Sequence, residues 1–216
     1  MKKLRQYLPL IIMLVIAAVV AALVFTGTVT VDELVAAADD NRALTVAVLA
    51  AIYIVKGLSL CIPLAPVAIA ASQVFDPFPA IVINTCGTAL CISISYCVGR
   101  FSKKMTLDSA YERFPKLAGY FRNAHENGFA FCFAVHSLHL SMEAQGVMFG
   151  LIRTKYADYL FSSMLALLPS MAWYTVLGER WDLADPRFWI FIGLDVIVIL
   201  AGLCCFKAKI FKKDDK

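Results

Sequence analysis

The sequence predicts an all-α integral membrane protein: an inverted repeat of a re-entrant hairpin plus a transmembrane helix, flanked by N- and C-terminal transmembrane helices. Three observations predict it. The 216 residues are 61% hydrophobic and 17% charged, with mean hydropathy +0.75, whereas a soluble domain is about 45–50% apolar. Two apolar stretches are interrupted midway, one by Ile62-Pro-Leu-Ala-Pro66 and the other by His136, His139 and Glu143. Lys and Arg also fall into alternate connections, as the positive-inside rule requires of a multi-pass chain. A chain of this length holds one membrane domain and no separate soluble domain.

Residues 1–27 are expected to be an N-terminal transmembrane anchor. Lys2, Lys3 and Arg5 precede an apolar run from Leu8 to Phe25. A signal peptide has a shorter apolar core of about 7–15 residues and a small-residue cleavage site, and Leu23-Val-Phe-Thr-Gly-Thr offers no such site. Residues 28–42 are polar and acidic, and Thr30-Val-Asp-Glu33 fits a capping box at the start of a short surface helix.

The membrane domain spans residues 43–180. Residues 43–76 are apolar but cut by two prolines, each of which removes a backbone donor. Two full spans need about 40 residues, so two half-depth helices forming a re-entrant hairpin fit better. Asp76-Pro-Phe-Pro79 is expected to turn at the surface before a span over 80–100, whose Gly87, Ala89, Ser93 and Ser95 suit close packing in lipid. In residues 101–126, Leu107, Tyr111, Phe114, Ala118 and Phe121 recur at helical spacing among Lys103, Lys104, Arg113, Lys116 and Arg122, the pattern of a basic amphipathic segment lying on the membrane. Residues 127–152 form the second hairpin and 156–177 the second span. Residues 187–206 form the C-terminal transmembrane helix, with Asp195 inside it, and residues 207–216 a basic tail.

With both termini cytoplasmic and each hairpin returning to its starting side, nearly all Lys and Arg lie inside. Asp32, Glu33, Asp39, Asp40, Glu179, Asp182 and Asp185 then lie outside. Charge placement alone leaves hairpins and pairs of full spans open, since both keep parity; length favours hairpins. A broken segment followed by a span occurs at 43–100 and again at 127–180, and the spans end alike in Tyr96-Cys-Val-Gly-Arg100 and Tyr174-Thr-Val-Leu-Gly-Glu-Arg180. One net crossing per unit inverts the second copy relative to the first, an arrangement found in many secondary transporters.

Ile62-Pro-Leu through Gly99-Arg100 and Asn127-Gly-Phe through Gly178, above all Tyr156-Ala-Asp-Tyr-Leu-Phe-Ser-Ser-Met-Leu-Ala-Leu-Leu-Pro-Ser-Met with Tyr174-Thr-Val-Leu-Gly178, resemble the DedA superfamily in its VTT-domain (SNARE-associated Golgi protein-like) branch. The resemblance covers roughly residues 45–180. It implies two re-entrant hairpins in inverted repeat and lipid handling: bacterial relatives return polyprenyl-phosphate carriers across the cell membrane and support its potential, and eukaryotic relatives are scramblases. The chain departs from the family pattern at His136, where an Arg is common, and at His139 and Ser141, where prolines are. It departs again at Ser72 and Cys91, where glycines are. A fixed positive charge at position 136 is thereby replaced by a group that titrates near neutrality.

Ionisable groups inside apolar segments mark transport and proton pathways by default. Glu143 is the first candidate, as a proton carrier. His136, Lys56 and Arg100 are candidates to attract an anionic headgroup, with Lys56 as counter-charge to Glu143. On a helical tip, His139 and Glu143 would share a face. Asp195 is expected to pair with Lys56 or to face a wet groove. Arg100 and Arg180 end spans, where side chains snorkel to the headgroups. The partners expected are therefore anionic membrane lipids, with protons as coupling ion and self-association compatible with the chain. No cofactor, metal or nucleic acid is expected, and the chain is expected not to be an enzyme. Two readings compete with a transporter: an energy-independent scramblase, and a non-catalytic scaffold using the basic 101–126 segment. A zinc enzyme built on His136, His139 and Glu143 is disfavoured, because residues 136 and 143 would be about 10 Å apart along a helix. The seven cysteines lie in apolar runs with no C-x-x-C pair, and no disulfide framework is expected.

Overall fold

The computed structural model describes residues 41–59, 62–102, 128–177 and 185–210, with Ile11, Val15 and Ala18. The N-terminal anchor as a whole, the acidic segment 28–40, the basic segment beyond residue 102, Arg180 and the end of the tail lie outside the described residues.

Seven helices have described bounds: α1 Arg42–Leu58, α2 Leu64–Val74, α3 Pro77–Phe101, α4 Gly128–His136, α5 Met142–Leu151, α6 Tyr156–Leu177 and α7 Pro186–Ile210. Among the described residues there is no strand, so the fold is all-α.

Local chemistry sets the boundaries. Asn41 caps α1 by accepting the amides of Ala43 and Leu44 at 3.1 and 3.2 Å. The helix stops at Leu58, Ser59 and Pro63 are extended, and Pro63 disfavours helical backbone at Ile62. Pro66 lies in the first turn of α2, where its missing amide costs nothing. The expected surface turn at Asp76–Pro79 is instead the N-cap and first turn of α3. Proline is pre-organised for that position, so the span starts three residues earlier than the sequence suggested. α6 has the expected bounds and contains Pro169. α7 begins after Asp185, which accepts the Arg187 amide at 2.9 Å. The Arg187 side chain also bonds Asp185 and holds its carboxyl below the usual range.

The break between α4 and α5 is not helical. The amides of Leu138 and His139 turn back to Val135 and His136. His139 then enters the left-handed region at φ 51°, a helix-ending conformation more usual for glycine. Ser141 starts α5 by accepting the Ala144 amide at 3.3 Å.

α1 lies along α3, and α4 along α6. Of the second arms, α5 packs on α3, while α2 lies against both α6 and α3. α7 rests on α4 and α6. The α3–α5 contact is the most intimate, and two glycines permit it. A Cβ on Gly99 would stand 2.1 Å from the Val147 carbonyl oxygen, and one on Gly150 2.2 Å from that of Tyr96. Around it cluster Ile92, Tyr96, Phe131, Cys132, Phe149, Tyr159 and Leu167.

Asn84 ties four helices together. It accepts the Tyr53 hydroxyl at 2.9 Å and donates to Ala68 O at 3.0 Å and to Thr175 Oγ1 at 2.9 Å. A buried amide inside an apolar span needs such partners. Among the described residues, two helices are long and apolar enough to cross a membrane, α3 and residues 186–205 of α7. α6, with 22 residues, has the length to cross as well. Trp189, Ile190, Ile197 and Leu200 leave the outer side of α7 exposed and apolar.

Candidate functional site

Lys56 stands in the last turn of α1 and Glu143 in the first turn of α5. Each therefore carries the charge its helix end favours, a cation at the C-terminus and a carboxylate at the N-terminus. The Lys56 ammonium donates to Glu143 Oε1 in an ion pair whose side chains are 2% and 5% exposed. It also donates to Ile62 O at 2.9 Å, reaching across the first break. The second oxygen, Glu143 Oε2, accepts the Ser141 hydroxyl at 3.1 Å, so Ser141 serves both as cap of α5 and as partner of the carboxylate. Ser95 of α3 donates to Gly57 O at 2.7 Å and holds the end of α1 in place. The result is one buried, charge-neutral cluster joining the break of the first helical pair to the break of the second.

The histidines lie elsewhere. His136 is 1% exposed, stacked on Phe149 with ring centroids 5.7 Å apart and edge-on to Tyr159 at 5.6 Å. Its Nδ1–H donates to Cys132 O at 3.0 Å in the tautomer that this carbonyl selects, with Ser163 Oγ 3.3 Å away. Its Nε2 is buried without a partner. The ring fills the aromatic cluster rather than facing Lys56.

His139 and Glu143 do not share a helical face, which corrects the sequence expectation: Ser141 begins a new helix between them, and the left-handed backbone at His139 redirects its side chain. His139 Nε2 is 2.7 Å from Ser170 Oγ, and Nδ1 is 3.0 Å from Ser137 O. Ser170 in turn donates to Asp195 Oδ1 at 3.1 Å, and His139 Nε2 is 3.9 Å from that oxygen. Asp195 therefore pairs with His139 through Ser170 and not with Lys56, whose ammonium is taken by Glu143. Nothing in the sequence pointed to Ser170, since serines are common in packed membrane helices.

Arg100 ends α3 and Arg153 follows α5 at φ 62°. Among the described residues no three His, Cys, Asp or Glu side chains converge as a metal-binding group. The six described cysteines, Cys86, Cys91, Cys97, Cys132, Cys204 and Cys205, are free thiols.

A family model for the VTT domain matches residues 62–180. The match begins at the first break and ends just beyond α6, so it contains Glu143, His136 and His139 but neither Lys56 nor Asp195. No curated protein and no solved structure matches the chain.

Proposed function

Because this chain belongs to the VTT-domain family of membrane proteins, which is also the DedA and SNARE-associated Golgi protein family, we propose that it moves an anionic lipid of polyprenyl-phosphate type across the bilayer, coupled to protons. The observation that carries this reading is the buried Lys56–Glu143 pair between the two helix breaks.

Charge balance in a low-dielectric site supplies the mechanism. With Glu143 ionised, Lys56 is neutralised and the cluster is closed. A lipid phosphate arriving at Lys56 displaces the carboxylate, which is then a second anion beside the first. Like charges at one site favour protonation of the weaker acid, so Glu143 takes up a proton as the headgroup binds. Headgroup charge and proton enter together and leave together, and no covalent step is involved. Ser141 keeps the carboxyl group oriented in both states.

In the same reading, residues 43–76 and 127–152 are two re-entrant hairpins of an inverted repeat. Packing across the units supports this: α5 packs on the long helix of the first unit, and α2 on that of the second as well as its own. Irregular backbone at membrane depth is tolerated where protein surrounds it, and here Lys56, Ser95 and Ser141 surround both breaks. The membrane is a bacterial cell membrane, with both termini cytoplasmic by the positive-inside rule. The VTT/DedA-like membrane domain spans 43–180, with α7 as an additional span.

The test is translocation in proteoliposomes loaded on one leaflet with polyprenyl phosphate or with phosphatidylcholine. Faster movement of polyprenyl phosphate that responds to an imposed pH gradient is expected. Equal, gradient-independent movement of both lipids would make the protein a scramblase and overturn the reading.

A further inference from the structure

We propose that His139, Ser170 and Asp195 form a proton-binding site apart from Glu143, and that the proton it holds docks α7 against the second helix break. The site joins three elements: His139 belongs to the break, Ser170 to α6 and Asp195 to α7. The His139 and Asp195 side chains are 32% and 15% exposed, so protons reach them, whereas Ser170 is buried between them.

Counting hydrogens assigns the proton. Ser137 O, 3.0 Å from His139 Nδ1, only accepts, so Nδ1 carries a hydrogen. Ser170 Oγ is 2.7 Å from Nε2 and 3.1 Å from Asp195 Oδ1, and a hydroxyl has one hydrogen to give. Two arrangements satisfy all three contacts. In one, His139 is an imidazolium: Nε2 donates to Ser170, which donates to an ionised Asp195. In the other, a protonated Asp195 donates to Ser170, which donates to a bare Nε2. Passing one hydrogen from Nε2 to Ser170 and another from Ser170 to Asp195 converts the first into the second. Both carry no net charge, and both hold one proton more than a neutral His139 beside an ionised Asp195. That emptier state loses a contact in either tautomer. With Nδ1 protonated, Ser170 cannot donate to both Nε2 and the carboxylate; with Nδ1 bare, two acceptors face each other at Ser137 O. It also leaves a net negative charge in an apolar setting, which is costly.

The charged and titratable groups on the surrounding elements are otherwise engaged. On α4, His136 lies in the aromatic cluster. On α5, Glu143 is held by Lys56 of α1. Tyr174, one turn past Ser170 on α6, is a phenol and carries no charge near neutral pH. On α7, Arg187 pairs with Asp185, and Lys207 is about 18 Å along the helix from Asp195. The docking has a second point of contact: Gly202, two turns past Asp195 on α7, lies against Ser137. α7 thus holds the break at residues 137 and 139. A site that keeps a proton when docked and gives it up on release favours docking as the pH falls, and docking weakens as the pH rises through the range where imidazole titrates. The VTT match contains His139 and Ser170 but ends before Asp195, so the site joins the matched domain to the helix that follows it. It does not rest on the transport reading.

The experiment measures amide hydrogen exchange of residues 137–141 in the full chain in phosphatidylcholine nanodiscs, at about pH 6 and about pH 8.5, on either side of imidazole titration. Rates are divided by the intrinsic rate at each pH, which removes the pH dependence of the exchange chemistry itself. Asp195→Asn supplies an amide hydrogen to Ser170 as the protonated acid does, and needs no proton to do so. Ser170→Ala removes the link. Exchange in α3 reports whether each variant is folded. Protection in the native chain is expected to fall about tenfold from the lower to the higher pH, as for loss of one buried hydrogen bond. It is expected to stay high at both in Asp195→Asn and low at both in Ser170→Ala. Native protection that does not change with pH overturns the proposal, because hydrogen bonds of purely structural role would give that result. A native-like pH dependence in either variant, or low protection in a folded Asp195→Asn, also overturns it. Neither a gradient nor lipid movement enters the readout, so the result is independent of the translocation assay.

Discussion

Lys56 and Glu143, 87 residues apart in the chain, form an ion pair with both side chains almost wholly removed from solvent. The pair links the end of α1 to the start of α5, and each partner has a second hydrogen bond, to Ile62 O and from Ser141 Oγ respectively. A buried pair of this kind is weak evidence of stabilisation, because desolvation offsets most of the attraction. It is better explained as a site whose charge state matters.

Removing one partner strands the other. Glu143→Ala or Lys56→Ala leaves an uncompensated buried charge and is expected to cost about 3–5 kcal/mol. The double substitution Lys56→Met with Glu143→Leu is expected to be closer to the native chain than either single alanine variant. Thermal unfolding midpoints of the three proteins in one detergent check this ordering. A double variant less stable than both singles would contradict it.

The α3–α5 contact leaves no room for a methyl group. Gly150→Ala and Gly99→Ala force backbone apart and are expected to destabilise by about 1–3 kcal/mol each, the usual range for overpacking. Gly193 is the control, since a Cβ there meets nothing within 4 Å. Gly193→Ala is expected to be neutral or to stabilise by up to about 1 kcal/mol through helix propensity. The same melting assay reads all three, and equal effects at positions 99, 150 and 193 would refute the close approach.

Asn84 serves three partners at once. Asn84→Leu leaves the Tyr53 hydroxyl without its acceptor and removes the donor to Ala68 O and Thr175 Oγ1. A cost of about 1–3 kcal/mol is expected for each group left unsatisfied, less what rearrangement recovers. Tyr53→Phe at the same time is expected to restore part of the loss, which a double-mutant cycle measures. Strict additivity would show that the two residues do not interact.

α7 is tied to the second break through Asp195, Ser170 and His139, and Gly202 lies against Ser137, where a Cβ would stand 1.7 Å from the hydroxyl oxygen. Ser170→Ala breaks the chain of hydrogen bonds at its centre. Faster amide hydrogen exchange in α7 and in residues 137–141, with little change in α1 and α3, is the expected result. Unchanged exchange in α7 would show that its docking is independent of this chain.

The broken segments were legible because the groups that break them are chemically out of place: prolines at 63 and 66, and His136, His139 and Glu143 in an apolar run. Lys56 was legible as a counter-charge for the same reason. The partner of Asp195 was not, since a lone acid in a span says nothing about which neighbouring helix it faces. The geometry of the second break was hidden as well. Spacing suggested a helical tip, whereas the left-handed residue is His139, a position where sequence rules look for glycine. Ser141 carried a legible signal, a hydroxyl three residues before the amide it caps, but serines that merely pack look identical in sequence.

The most direct test of the central claim is the initial rate of polyprenyl-phosphate translocation by the native chain and by Glu143→Gln, each with and without a pH gradient. Glutamine keeps the shape of the side chain and one acceptor oxygen, but binds no transferable proton. The account predicts that the gradient accelerates the native protein and has no effect on the variant. Gradient-driven movement that persists in Glu143→Gln would contradict it and place proton coupling outside the Lys56–Glu143 pair.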